Sequence, residues 1–358
     1  VLILHVADLH LADSEREYSF SVLEEIVTLA QRQNVTFLLL SGDTFDSFGD
    51  AESLRGSFRR TLEKLGSSCE VLFLPGNHEE IGRGNKSLGS LDLGPITLLD
   101  TKPFSLISRE GVEFLAIPHQ PNYSDYSQWK VSPKQQELRV ALAHGVVLGM
   151  SFAGLDQETG AGAIDPDMFS RFQVDYAALG HIHQRRRETL DHGIICYPGS
   201  SRVWRRGELD ERGAFLLNTA GRLQVEFLPL NSAGQYREYD LALNLEGKGE
   251  DLSRKAESWS SSDWVHIKFS GLVEEEGVVA SLETEIQKRY RDRVRRLEID
   301  REEVSVLPGI ASQPLARRFL TLWEQKEPEP AQESERRIWL RARELALAEM
   351  KRVLEARE

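Results

Sequence analysis

The stretch "VTFLLLSGDTFD", Val35–Asp46, runs four apolar residues together, Phe37 to Leu40, and then stops on Gly42 and Asp43. An unbroken apolar run this short, closed by a polar turn, reads as a strand buried on both faces, as in a parallel sheet. The segment before it, "SFSVLEEIVTLAQRQN", repeats Phe20, Leu23, Val27 and Ala30 at helical spacing. Before that, "VLILHVADLHL" is a second apolar run that ends on Asp8 and His10. Downstream, "AESLRGSFRRTLEKLG" predicts another helix and "EVLFLPGNHEE" a third strand. Strand, helix, strand, helix, strand is the grammar of an α/β layered domain.

The same kind of run recurs to about residue 230, in "ITLLD", "VEFLAIP", "RVALAHG", "YAALGHI", "IICYPGS", "AFLLNT" and "LQVEFLPL". Apolar density then falls. "DWVHIKFSG", "GVVASLETEIQKRY" and "DRVRRLEID" predict a small β-α-β unit, placed at 232–305. A third part, 306–358, holds "PLARRFLTLWEQK", with Leu315, Phe319, Leu322 and Trp323 assigned to one helical face. The linker "EPEPAQESE" follows, and then a last helix striped by Trp339, Ala342, Ala346, Met350 and Val353.

The two cysteines, Cys69 and Cys196, support neither a disulfide framework nor a thiolate metal site. No apolar stretch approaches the ~20 residues that span a bilayer, and the opening lacks the basic leader of a signal peptide. These features predict a cytoplasmic protein with no membrane partner. A formal charge of -13 argues against adhesion to nucleic acid over the whole surface, so any polyanion is met locally.

The side chains that close the apolar runs are of one chemical type. Asp8 and His10, Asp43, Asn77 and His78, His144, and His181 with His183 all stand where a strand is expected to end. In open α/β sheets ligands bind outside the carboxyl ends of strands, where residues distant in sequence converge. Carboxylate, imidazole and amide oxygen without thiolate suit a borderline-hard divalent ion: Mn²⁺ or Fe²⁺, with Zn²⁺ or Mg²⁺ as substitutes. The donors exceed the needs of one ion. With Asp43 shared, Asp8, His10 and His183 complete one site, and Asn77, His144 and His181 the other. Two ions about 3.5 to 4 Å apart form a recurrent clamp for displacement at phosphorus. His78, next to a ligand but left over, is free to donate to the phosphate or the leaving oxygen.

The ordered series D-x-H, G-D, G-N-H-[DE], H and G-H-x-H resembles the calcineurin-like metallophosphoesterase superfamily. "ILHVADLHL", "GDTFD", "YAALGHIH" and "CYPGSS" are similar to the SbcD family of DNA repair nucleases. That resemblance implies a layered β-sandwich core flanked by helices over 1–231, a capping domain over 232–305 and a partner-binding helical segment over 306–358. It implies a Mn²⁺-dependent exonuclease and single-strand endonuclease, working as a homodimer with an SbcC-type ATPase whose coiled coil docks on the C-terminal helices, and located at the nucleoid in a bacterium. Three places depart from the family: Glu79 stands where Asp is usual, Arg185–Arg187 stand where Pro-Gln is frequent, and "IGRGNKSLGS" is unlike the family's segment there.

Two arginine groups flank the last motifs. Arg185, Arg186 and Arg187 follow His183; Arg202, Arg205 and Arg206 follow the "YPGSS" turn. Either group holds phosphates beside the metals or is a solvated charged turn. Tyr197 and Ser200 are expected to shape the pocket through that turn, and His5 to be structural. Exposed Trp323 and Trp339 would mark a docking face. Two rival functions stay open: a phosphatase or small-molecule phosphodiesterase on the same scaffold, and a DNA-binding scaffold subunit with vestigial chemistry.

Overall fold

The computed structural model describes residues 1–79, 87–120, 123–150, 162–190, 192–307 and 313–325, with 338–339, 341–343, 345–347, 349–350 and 353 beyond. Glu80, most of "IGRGNKSLGS" and the linker "EPEPAQESE" lie outside the described residues. The chain divides into two compact units, Val1–Gln235 and Tyr236–Glu358.

In the first unit the strands and helices are β1 (Leu2–Val6), α1 (Arg16–Arg32), β2 (Phe37–Ser41), α2 (Phe48–Glu63), β3 (Glu70–Leu74), β4 (Ile96–Leu98), β5 (Ser105–Arg109), β6 (Val112–Ile117), β7 (Leu138–His144), β8 (Val146–Val147), β9 (Ala163–Ile164), α3 (Asp167–Arg171), β10 (Tyr176–Gly180), β11 (Arg186–Leu190), β12 (Gly193–Tyr197), β13 (Gly213–Asn218) and β14 (Gln224–Pro229). They build two six-stranded sheets, in the orders β14-β13-β1-β2-β3-β4 and β11-β12-β10-β7-β6-β5. In each sheet four central or adjoining strands run parallel, β1 to β4 in one and β12, β10, β7 and β6 in the other.

The apolar runs fill three buried layers because alternate residues of a strand point to opposite faces. Ile3, Phe37, Leu39 and Leu72 meet Phe114, Val140, Leu142 and Tyr176 between the sheets. Leu4, Val6, Leu38, Leu40 and Phe73 face α1 and α2, packing on Val22, Leu23, Ile26, Leu54 and Phe58. Leu115, Ala141, Ala143, Ala177 and Leu179 face α3 through Met168 and Phe169. Helix, sheet, sheet, helix is therefore the layer order, the sandwich expected above. The His5 ring lies inside it, its Nδ1 2.9 Å from the Tyr176 hydroxyl.

Arg139 and Glu113 form an ion pair sunk in this unit. The Arg139 Nε donates to Glu113 at 2.7 Å, and its other nitrogens reach the Phe172 and Ser132 carbonyls at 2.6 and 2.8 Å; both side chains are buried. Removing one partner strands the other charge. Arg139→Met is expected to cost about 3–5 kcal/mol, read as a fall in the urea midpoint without a change of slope.

The units part four residues after the expected break, because residues 231–233 are tied to α1. Glu25 accepts from the Asn231 and Ser232 backbone N–H groups at 3.0 and 2.7 Å, and the Tyr18 hydroxyl donates to the Ala233 carbonyl at 2.6 Å. The second unit holds β15 (Tyr236–Leu243), α4 (Ser253–Ala256), β16 (Trp264–Val273), α5 (Glu276–Tyr290), β17 (Arg296–Val306) and α6 (Pro314–Glu324). Its three strands form one parallel sheet, β15-β16-β17, with α5 packed on one face.

On α6 the buried stripe differs from the predicted one. Ala316 is buried with Leu245, Leu272 and Leu347, and Phe319 and Leu320 pack against them, whereas Leu315 and Leu322 are exposed. Trp323 and Trp339 stack on each other at 5.3 Å, half-buried, so the exposed apolar set is aliphatic instead: Leu315, Leu322, Ile338, Leu345 and Val353. Among the described residues no helix is long and apolar enough to cross a membrane.

Candidate metal centre

The site grows out of two strand ends that run on side by side. After β1 and β2, Asp8 N donates to Gly42 O, His10 N to Asp43 O and Leu11 N to Thr44 O, at 2.9 to 3.0 Å. This ladder holds Asp8, His10 and Asp43 at positive φ, 51°, 44° and 48°, and His181 sits at 93°. Non-glycine residues rarely adopt that region, and such strain is retained where surrounding structure over-determines it. Glycines open the room. A Cβ on Gly76 would come 2.1 Å from Asp43 Oδ1, and one on Gly42, itself at φ 89°, would come 2.0 Å from His144 Nδ1.

Two donor sets result. Asp8, His10 and His183 offer ligand-type atoms within 4.8 Å of one another, and so do Asp43, His144 and His181. Asn77 Oδ1 joins the second set, 3.0 Å from His144 Nε2 and 3.2 Å from His181 Nδ1. All seven residues read as ligands from the sequence thus come together, from both sheets. His78 stands beside them. Its backbone N–H donates to Asp43 Oδ1 at 3.0 Å, and its ring Nδ1 lies 2.8 Å from the Asp46 carbonyl.

The donors fit a pair of divalent cations. His10 Nδ1 faces Asp46 at 3.2 Å, His183 Nδ1 faces Glu208 at 2.5 Å and His144 Nδ1 faces the Ser41 carbonyl at 3.1 Å. An acceptor at Nδ1 draws the proton there and turns the Nε2 lone pair inward, the arrangement that metal-bound imidazoles share. The Nε2 atoms of His10 and His183 then face each other at 3.1 Å. Two bare acceptors at that distance repel, and a cation between them removes the repulsion. His10, Asp46 and His78 also gather ligand-type atoms, but the Nδ1 atoms of both rings are already committed to Asp46. That third group is a hydrogen-bonded network.

Electrostatics agree with the fit. Burial lowers His10 to about 4 and His181 to about 3, so both rings are neutral near neutrality. Burial raises Asp8 to about 6. For His144 burial works against the charge, but Asp43, then Asp8, overcome it and push the ring up to about 9. Asp43 shows the converse: burial would raise it, and His144 holds it below the ordinary carboxylate range. A cation entering the second set displaces the His144 proton.

Other predicted residues fall in different places. Arg202 is corrected: it is 1% exposed, and its guanidinium is spent on the Leu9 and His10 carbonyls and on Glu15, so it braces the D-x-H loop and cannot reach a phosphate. Arg185 lies over the Phe227 ring at 4.0 Å and Arg186 pairs with Glu188 at 3.1 Å on the edge strand β11. Arg205 is half-exposed, 5.7 Å from the Trp204 ring. Tyr197 accepts from Val147 N and donates to Gly145 O, fastening the turn after His144, while Ser200 takes a guanidinium nitrogen of Arg212 at 2.8 Å. Glu79 is fully buried, its carboxylate accepting from Thr44 N and Phe45 N at 3.1 and 3.0 Å.

Asp46, Trp204 and Glu208 carry roles that the sequence reading assigned to no one. Asp46 lies inside "GDTFD", a motif that marks its neighbourhood; Glu208, in the charged "RRGELDER", offers no periodic or motif signal. Glu208→Gln leaves the volume unchanged and weakens the hold on His183. Metal affinity is expected to drop about 10- to 100-fold with the fold intact, measured by Mn²⁺ titration alongside thermal melting.

The family model for calcineurin-like phosphoesterases matches residues 1–185 of the 358. The chain is 28% identical over 249 residues to the DNA double-strand break repair protein Mre11 of Saccharolobus solfataricus, covering 63% of this chain and 62% of that protein. It is 25% identical over 248 residues to the uncharacterized metallophosphoesterase YhaO of Bacillus subtilis, covering 63% and 59%. The alignments thus span about three fifths of the length of these curated relatives. Among solved structures, purple acid phosphatase PPD1 from yellow lupin seeds matches with a TM-score of 0.46 at 16% identity, over 66% of this chain and 52% of that one. The chain belongs to the calcineurin-like phosphoesterase family.

Proposed function

We propose that the protein is a Mn²⁺-dependent DNA nuclease of the SbcD type, the nuclease subunit of a double-strand-break repair complex, acting as an exonuclease on duplex ends and an endonuclease on single strands. The observation that carries this reading is the meeting of the two donor sets beside His78, whose ring is 31% exposed and 4.0 Å from Asp43. Asp8, His10 and His183 would hold one ion and Asp43, Asn77, His144 and His181 the other. The chemistry that two such ions would supply is polarisation of the phosphate oxygens and activation of a water for in-line attack. His78 then supplies a proton or hydrogen bond to the phosphate or the leaving oxygen, with its Nδ1 held by the Asp46 carbonyl.

DNA as substrate is supported by the relatives named as double-strand break repair proteins. Arg205, 3.9 Å from the Glu208 carboxylate that faces His183, is proposed as a phosphate contact together with Arg185 and Arg186. The 232–305 segment is proposed as a DNA-binding cap. The exposed aliphatics of the 306–358 segment are proposed to receive the coiled coil of an SbcC-type ATPase, in a homodimeric complex located in the cytoplasm at the nucleoid. Deleting residues 310 to 358 is the check on that docking: co-purification with the ATPase is lost while metal binding stays.

The deciding experiment incubates the full chain with Mn²⁺ and end-labelled linear duplex, in parallel with a phosphomonoester. Duplex shortening supports the nuclease. Monoester turnover without DNA cleavage assigns the scaffold to a phosphatase, and turnover of neither with no bound metal assigns it to a vestigial binding subunit.

A further inference from the structure

The Asp46 side chain does two things through one oxygen. Its Oδ1 accepts the Trp204 indole N–H at 2.9 Å and faces His10 Nδ1 at 3.2 Å. Its backbone carbonyl, meanwhile, holds the ring of His78. The Trp204 ring lies almost flat on His10, with centroids 4.1 Å apart and planes 14° from parallel, and it meets His78 and His183 edge-on at 5.6 and 5.1 Å. The backbone N–H of Trp204 donates to Glu208 at 2.8 Å, and the other oxygen of that carboxylate holds His183. One residue therefore touches, directly or through one carboxylate, both imidazoles of the first donor set and His78.

We propose that Trp204 is a positioning residue of the reaction: its indole N–H pins Asp46 and its ring braces His10, so that it sets the spacing between His78 and the first donor set. Without that N–H the Asp46 carboxylate keeps His10 as its partner at Oδ1 but loses the bond that stops it turning. His10 then loses a fixed proton position, and the loop that presents the Asp46 carbonyl to His78 loses a tether. An error of about 1 Å in such a constellation is enough to cost on the order of 10²-fold in rate. Phe at this position would keep the stacked ring and lack the donor, which isolates the hydrogen bond from the packing.

This inference rests on the assignment of His78 and the first donor set given above, so its test has an arm that needs no turnover. Mn²⁺ is titrated into the unaltered chain and into Trp204→Phe, with thermal melting as the check on folding. The expected result is a midpoint for one of the two ions raised about 10-fold. On labelled duplex at saturating Mn²⁺, kcat is expected to fall about 10- to 100-fold while KM stays within about twofold. Trp204→His, which restores a ring N–H, is expected to recover part of both losses. A midpoint within about twofold of the unaltered chain overturns the proposal, and so does a His variant no better than Phe, since the loss would then be packing alone. A shifted midpoint with unchanged kcat overturns the His78 half of it. If the unaltered chain cleaves no diester, the nuclease reading fails, while the Mn²⁺ midpoint still decides Trp204.

Discussion

Asp43→Asn is expected to reduce bound metal from two ions per chain to one or none, and to lower diester hydrolysis by at least about 10³-fold. The substitution keeps shape and one acceptor, so the Asp43 contact with the His78 backbone N–H survives. What goes is a negative charge, 2% exposed, lying 3.1 Å from His144 Nε2 at the junction of the two donor sets. The sets hold only two carboxylates, Asp8 and Asp43, and neither Asn77 nor neutral imidazole can offset two divalent cations. Metal analysis after dialysis, beside the labelled-duplex assay, checks both halves. Two ions retained with activity lost would move Asp43 from ligand to a purely electrostatic role.

The neighbouring pair Asn77 and His78 is expected to separate binding from turnover. Asn77→Ala removes the oxygen that lies between His144 and His181, so an ion of the second set is lost and activity goes with it. His78→Ala leaves both donor sets untouched. Turnover is expected to fall about 10²- to 10⁴-fold with two ions still bound and KM little changed. The geometry that divides them is a turn at the end of β3: one side chain points in toward the second sheet, while the other lies against Asp46 with its ring near His10, 4.7 Å between centroids. His78→Ala that sheds metal in proportion to activity would make it a ligand instead.

Much of this site was legible because its parts repeat one local rule. Each candidate ligand follows an apolar run, and three of the seven, Asp43, Asn77 and His181, follow a glycine; the chemical reason for both is local: a strand must end where it stops being buried, and a carboxylate or ring packs closely against bare backbone. Arg202 shows the limit of that rule. In sequence it is one of several arginines after a turn; in space its donors turn to the Leu9 and His10 carbonyls and to Glu15. Nothing local distinguishes it from Arg205, three residues on, because burial is decided by what packs on top. Glu208 and Trp204 escaped for the same reason, since each acts on a partner far away in the chain, His183 and Asp46.

The fold divides along the same line. Strands buried on both faces were visible as apolar runs, whereas β15, with Tyr236, Leu241 and Leu243 buried among charged residues, and β11, "RRETL" on a sheet edge, were not. On α6, apolar periodicity fits more than one stripe, and docking against Leu245 and Leu272 chose Ala316, Phe319 and Leu320 over Leu315 and Leu322.

By itself the amino-acid order determined the layered α/β core, the strand ends and the seven candidate donor residues, since burial period and side-chain chemistry are written residue by residue. Only the tertiary structure decided that the two sheets bring their ends to one place, that Arg202 is a brace, and that Asp46, Trp204 and Glu208 lie against the candidate donors His10 and His183. Those are contacts between segments tens to hundreds of residues apart, and no local pattern specifies which distant partner a side chain will meet.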